Sequence, residues 1–319
     1  GMSQAWGLSF TPDVQVTVSA NVAPAITNLD GDALAYTEDD GAVVIEQGGD
    51  ALVTDIDTSD FDAATLTVSF AAGSDSAEDV LGIRDQGMGA GQIGISGSDI
   101  AYGGVVIGSF TGGSGGTPLV VTFTSAADAA AVGAVLNNVT YTNTDGVAPT
   151  TGARTVRFVL TDGDGGTSAA SDATVTVGRL NDAPVLVDGA TVVLTGTNEN
   201  TTSGGRLVSS LILPSIWSDV DDTGQRGIAV TGLSGNGTWQ YSTDGSTWTT
   251  FGSVSTTHAL LLTSTTQVRY VPDGVTAETA TFDYRAWDRA TGTASTATVP
   301  GYADVGTSGG STAYSTGTA

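Results

Sequence analysis

Cysteine and lysine are both missing from these 319 residues, histidine occurs once and methionine twice. Without cysteine there is neither a disulfide framework nor thiolate chemistry. Nine arginines face 34 acidic residues, for a formal net charge of −25. That excludes nucleic acid and anionic membrane surfaces as partners, because gripping phosphate takes clustered cations. The single histidine, His258, stands at a strand start in STTHALLL with no recognisable acid or base beside it. Acid–base or nucleophilic catalysis would therefore need a pair of carboxylates, and none stands out from the acids that sit in turns. No apolar run reaches about 18 residues, so no helix is expected to insert in a membrane. No leader peptide is recognisable, and export is an inference from the repeat scheme below.

What the chain does contain is glycine, 45 residues of it, with 39% hydrophobic and only 13% charged residues. This is too apolar for a disordered acidic chain. Short runs of Val, Ile, Leu and Phe, separated by Gly, Ser and Thr, are the pattern of many brief strands and turns. The length accommodates two domains, each with its own core. The acids comprise 29 Asp and five Glu. Aspartate, the shorter carboxylate, suits both turns and close oxygen cages for hard cations. A surface adapted to salty water explains the net charge equally well; it does not explain where the aspartates sit.

The organising stretch is TVTVGRLNDAPVLV, residues 174–187. An alternating strand stops at Gly178, a polar turn of Asn181 and Asp182 follows, and Pro184 starts a new apolar run. Proline cannot donate to a sheet ladder, so the chain leaves one sheet here and enters another. The same pattern occurs as VQVTVSANVAPAI at 14–26, with Asn21 and Asn181, and Pro24 and Pro184, each 160 positions apart. A repeated joint implies modules threaded end to end. Residues 1–22 are then a lead with an orphan strand, VQVTV, and residues 23–180 and 181–319 are two β-sandwiches. The second is expected to end with its last strand cut short, since the tail from Thr307 is rich in Gly, Ser and Thr.

Within the first module, ATLTVSF, PLVVTFT, VTYTN and TVRFVLTD read as strands, with a tight hairpin around Ser98-Asp99. Ser125–Asn138 is the one helical stretch, with Ser125 placed to cap and Asp128 at the third helical position. In the second, TVVLT, LVSSLIL, GIAVTGL, TWQYS, TWTTF, ALLLT, QVRYV and TFDYRAW read as strands, and Asp244-Gly245 marks a hairpin turn. The glycine-rich GMGAGQIGISG carries no phosphate-loop signature and reads as strand turns. The expected fold is all-β: two tandem immunoglobulin/cadherin-like β-sandwich modules, with one short helix in the first.

Acidic clusters recur at module ends: Glu38 and Glu199 early in each module, Asp55/Asp57 and Asp219/Asp221 in D-x-D segments, and Asp162/Asp164 against Asp288 before the last strands. Alternate aspartates project to one side of an extended segment, so two carboxylates can share a cation. Ca²⁺ takes six to eight oxygens, so several segments must converge on it. A turn explains any one of these acids by itself.

The N-x-A-P hinges, the D-V-D segment and the LTDGDGG turn resemble the cadherin-like tandem repeats of large bacterial surface and adhesin proteins. The resemblance covers the chain from about Pro12 onward. It implies an interdomain calcium site built from an early Glu, an acidic turn, a polar hinge and the D-x-D of the next module. Those roles fall on Glu38, Asp162, Asp164, Asn181, Asp182, Asp219 and Asp221. The pattern departs from the family's at Gly178 and Arg179, at Val22 in place of an acid, and at Ala290 in the second turn. The central joint is thus expected to be the fullest site, with partial ones at the ends.

The expectation is a non-enzymatic structural or adhesive segment, secreted or on the cell surface, stiffened by calcium and presenting to another surface protein or glycan. A second reading uses Trp239, Tyr241 and Trp248 as an exposed platform for sugar rings; burial of these rings in the sandwich is its alternative. VQVTV, lacking a module of its own, is expected to exchange into a sheet edge of a neighbouring chain.

Overall fold

The computed structural model describes residues 20–221 and 224–319. The strand expected at 14–18 lies outside the described residues, as does Asp222. The chain divides into two compact units: unit 1 takes in residues up to Thr144 together with Thr151–Val177, and unit 2 takes in Asp145–Thr150 with Gly178–Ala319. The described residues form 23 strands and one α-helix, so the protein is all-β.

Unit 1 begins with short pieces, β1 (Ala25–Thr27), β2 (Ala33–Thr37), β3 (Val43–Val44) and β4 (Leu52–Thr54). There follow β5 (Thr65–Ala72), β6 (Asp79–Ile83), β7 (Ile93–Ser96), β8 (Asp99–Tyr102), β9 (Val105–Thr111), β10 (Leu119–Phe123), β11 (Val139–Asn143), β12 (Gly152–Leu160) and β13 (Ser171–Gly178). Eight of these form one sheet in the order β2-β13-β12-β5-β10-β9-β8-β7, and β3-β11-β6 form a second. The period of two decides what is inside: Leu66 and Val68 of β5, Leu119, Val121 and Phe123 of β10, and Val156, Phe158 and Leu160 of β12 all enter one core. The first hairpin turns one residue earlier than its sequence suggests, because Gly97 takes the left-handed φ of +62°.

The helix α1 (Ala129–Leu136) is shorter than the expected stretch, and its cap is Asp128 rather than Ser125. The Asp128 carboxylate accepts from the Ala131 N–H at 2.8 Å, satisfying a donor that has no partner within the helix. Residues 125–127 are left in a turn, closed by the Ala127 N–H to the Thr124 carbonyl. Ala131, Val132, Val135 and Leu136 are buried, which is what holds so short a helix.

At the sheet's outer strand β7, side chains replace a neighbouring strand. The Ile93 N–H donates to Oε1 of Gln86 at 3.0 Å and the Ile95 N–H to Oδ1 of Asp85 at 3.2 Å. Inside, Arg154 on β12 is fully buried. Its guanidinium meets Asp79 at 3.1 Å and Glu78 at 3.4 Å, while Tyr141 donates to Asp79 and the Asn143 N–H donates to Tyr36. Burial, then the hydrogen bond to Asp79, pushes the Tyr141 hydroxyl well above its ordinary pKa.

Unit 2 comprises β14 (Val185–Leu186), β15 (Arg206–Leu207), β16 (Trp217–Ser218), β17 (Gly227–Leu233), β18 (Thr238–Ser242), β19 (Thr249–Thr250), β20 (Ala259–Thr263), β21 (Gln267–Val271), β22 (Phe282–Trp287) and β23 (Tyr302–Ala303). Two four-stranded sheets result, β15-β21-β18-β19 and β22-β17-β20-β23. Ile228, Val230, Leu260, Leu262, Tyr241 and Val268 are among the residues of their shared core. Two expected strands are absent. LVSSLIL becomes a 3-10 turn at Val208–Ser210, because the Ser210 hydroxyl donates to the Leu207 carbonyl and Val208, Leu211 and Ile212 all turn inward. TVVLT at 191–195 joins no sheet among the described residues, although Val192 and Leu194 pack on the core while Val193 faces out.

Candidate functional site

The aspartates fall into two groups of matching design, one in each unit. In unit 1 the amide of Asn21 donates to Oδ2 of Asp162 at 2.8 Å, and the Val22 N–H to Oδ2 of Asp57 at 3.0 Å. The Asp57 N–H in turn reaches Oδ1 of Asp55 at 3.3 Å. In unit 2 the amide of Asn181 donates to Oδ2 of Asp288 at 2.8 Å, and the Asp182 N–H to Oδ2 of Asp221 at 3.1 Å. The Asp221 N–H again reaches Oδ1 of its D-x-D partner, Asp219, at 3.2 Å. A polar hinge thus holds the acid of a closing turn through its side chain and a D-x-D through its next backbone N–H. Because the second bond uses only backbone, Val22 serves where Asp182 does.

Local geometry fixes each group. Asp162 lies two residues beyond the end of β12, and its carboxylate accepts from the N–H groups of Asp164 and Gly166 as well as from Asn21. Gly166 must be glycine here: a Cβ would stand 2.2 Å from Oδ2 of Asp162. Burial alone would raise the Asp162 pKa, but these donors outweigh it and hold the group below its ordinary value. The first acid of the D-x-D behaves oppositely in both units, Asp55 being raised chiefly by burial. Asp219 is pushed up to about 7, first by burial, then by the side chain and charge of Asp221 and by the charge of Asp288. Asp288 is raised as well, chiefly by burial and against the help of Asn181. Three carboxylates here crowd one another with too few cations to answer them.

Of the residues expected to form one cage, Asn181, Asp182, Asp219 and Asp221 come together, joined by Asp288. Asp162 and Asp164 sit instead at the end of the β12–β13 hairpin beside Asn21. The eight residue steps of β12 separate that end from Gly152, which pairs with Val177, a span of about 26 Å at the rise of a strand. Each hinge asparagine therefore bonds to the acid of its own unit. Glu38 follows β2 and is 3% exposed. Asn21, Asp55, Asp57 and Asp288 belong to the groups although the expected set omits them; the 160-residue offset marks Asn21, the 126-residue offset marks Asp288, and the repeated D-x-D marks Asp55 and Asp57. Among the described residues no three His, Asp or Glu side chains are already gathered tightly enough to grip a metal ion.

The aromatic platform does not form as expected. Trp239 is 7% exposed and Tyr241 fully buried, both in the unit 2 core, because their parity on β18 turns them inward. Trp239 packs against Tyr270 and Phe282, with ring centres 4.9 and 4.8 Å away. Trp248 is half-buried beneath the Arg269 guanidinium, 3.9 Å from its ring centre. The hairpin itself is as expected, with Asp244 accepting from the N–H groups of Ser246 and Thr247.

No protein-family model matches this chain, and no curated protein matches it in sequence.

Proposed function

We propose that this chain is a non-enzymatic structural or adhesive segment of a secreted or cell-surface protein, resembling cadherin-like tandem repeats, with Ca²⁺ binding at the acidic group that opens each unit. The observation that carries the reading is the burial of Asp219 beside Asp221 and Asp288, which together lift it to about 7, burial first and the two neighbouring acids after it. Carboxylates held that close are relieved either by a proton or by a cation, and hard oxygen donors on flexible turns suit Ca²⁺ better than any softer metal. Asn181 and the carboxylates of Asp219, Asp221 and Asp288 would hold the ion in unit 2, and Asp162, Asp57 and Asp55 supply the acids in unit 1. An ion would draw these groups inward from their present hydrogen-bonded spacing. Its expected role is stiffening, since extracellular Ca²⁺ sites bind weakly, with Kd on the order of 10⁻⁴–10⁻³ M.

Calorimetric titration of Ca²⁺ into chelator-treated protein tests this. Heat with a stoichiometry of one or more per chain, lost from unit 2 in Asp219→Asn/Asp288→Asn, supports it. An absence of heat up to 10 mM Ca²⁺ sinks it.

A further inference from the structure

The outward face of the sheet β15-β21-β18-β19 carries a guanidinium that is held in place but not neutralised. Trp239 and Tyr270 oppose each other across β18 and β21 and turn into the core, so the next opposed pair, Gln240 and Arg269, lies on the outer face. The Arg269 Nε donates to Oε1 of Gln240 at 2.8 Å. The same guanidinium rests on Trp248, 3.9 Å from the ring centre. Trp248 comes from the turn between β18 and β19 and finds its room against Gly205. A Cβ at that position would stand 3.0 Å from Cη2 of the indole and 2.5 Å from Oε1 of Gln267. Among the described residues, the two terminal nitrogens of Arg269 have no acceptor and no carboxylate pairs with it.

An unanswered cation stands out in a chain with 34 acids and nine arginines. Arg154 and Arg157 are ion-paired, and Arg179 and Arg285 donate to backbone carbonyls. Asp244, the acid nearest to Trp248 along the chain, is taken up by its own turn, accepting from Ser242, Ser246 and Thr247. Because the stem of Arg269 is fixed before any ligand arrives, little further ordering is needed on binding. Its terminal nitrogens form a two-pronged donor that matches one carboxylate. The groups beside it are neutral amides: Gln240 directly across the ladder, and Gln267 two residues along on the same face. One positive fork among uncharged amides is the complement of a ring that bears one carboxylate among hydroxyls. We propose that this face of unit 2 binds a carboxylated sugar of the uronic acid class, with Arg269 taking the carboxylate and Gln240 and Gln267 the ring hydroxyls. A peptide carboxylate would satisfy the arginine and leave both amides without a partner. The indole serves to hold Arg269 rather than to stack on the sugar, and calcium takes no part.

Oligogalacturonate is the probe, titrated in the presence of chelator into isotopically labelled full-length protein and followed by NMR. Chelator keeps calcium from bridging sugar and protein, so failure here leaves the acidic groups at Asp162 and Asp288 untouched. The expected result is saturable shifts of the Trp248 indole N–H and the Arg269 Nε–H, with little change at the buried Trp239 indole. Arg269→Gln should weaken binding about tenfold or more, the loss of a charge-assisted hydrogen bond. Gln240→Glu should do the same while keeping the arginine, by giving the guanidinium a carboxylate of its own. Both positions face outward, and the spectra of the variants report whether the fold is intact. The methyl ester of the same sugar should not bind. An absence of shifts up to about 10 mM sugar overturns the proposal, as does equal binding of the ester or an affinity unchanged in both variants. Oligoglutamate binding as well as oligogalacturonate also overturns it, since the face would then read any carboxylate.

Discussion

Asn181 donates from its side-chain amide to Oδ2 of Asp288, 107 positions away, at 2.8 Å. Asn21 does the same to Asp162. The two bonds are copies of one device and give each unit a fixed first turn.

Removing either amide leaves a charged acceptor short of a partner. Asn181→Ala and Asn21→Ala should each lower stability by about 1.5–3 kcal/mol, the range for a hydrogen bond to a charged group. Urea denaturation followed by tryptophan fluorescence reads the unit 2 variant, because Trp239 and Trp287 are buried there. Circular dichroism reads the other.

Asp219 and Asp162 should answer pH with opposite signs. Asp219, raised to about 7, keeps its proton in the folded state over a range where the unfolded chain has lost it. Unit 2 stability without divalent ions therefore falls as pH rises from about 4 to 7, and levels off above. Asp162 is depressed, so its contribution is present above its unfolded value and is lost as pH falls below about 3.8. Denaturation at pH 4.5 and 7.5, with and without Asp219→Asn, checks the first: the variant should flatten the slope.

Calcium should reverse that slope. Binding needs Asp219 ionised, so Ca²⁺ affinity is expected to weaken steadily from pH 8 to pH 5.5. At ten times Kd one ion adds about 1.4 kcal/mol. Melting curves with Ca²⁺ and with chelator, in the wild type and in Asp219→Asn, report the difference; equal shifts in both proteins would place the ion elsewhere.

Arg154 should be the most damaging single site in unit 1. Arg154→Ala strands Asp79 and Glu78 in the core, at about 3–5 kcal/mol. Arg154→Met combined with Asp79→Asn should recover part of that loss, because no full charge is then left facing a vacated partner at position 79. Chemical denaturation of the single and double variants separates charge from packing.

Trp239→Ala should cost about 3–5 kcal/mol as a core truncation. Trp248→Ala should cost about 1 kcal/mol or less, the size of an exposed cation–π contact with Arg269. Similar losses at the two positions would contradict their placement.

Alternation made the cores legible. Leu66 and Val68, or Val156, Phe158 and Leu160, could be placed inward from their spacing alone. The same parity places Arg154 inward, yet its partners 75 and 76 positions away are invisible to any local pattern. The offset of 160 matched the hinge asparagines and that of 126 matched Asp162 with Asp288, but neither showed that each hinge bonds within its own unit. That depends on where β12 ends, a length along a strand rather than a residue type. TVVLT has a strand's composition and fails to join a sheet because a strand requires a neighbour. LVSSLIL fails because two serines favour a local turn over a ladder.

The plugging of β7 by Asp85 and Gln86 bears on how that sheet margin would meet a neighbouring molecule. The protein's large negative charge repels neighbours in dilute buffer, but in seawater-like brine that repulsion dies away within a few ångströms. A hydrogen-bonded stopper is indifferent to ionic strength. In salty surroundings, colloidal stability at that margin is therefore a matter of shape, and two side chains guard it where 34 acidic residues no longer can.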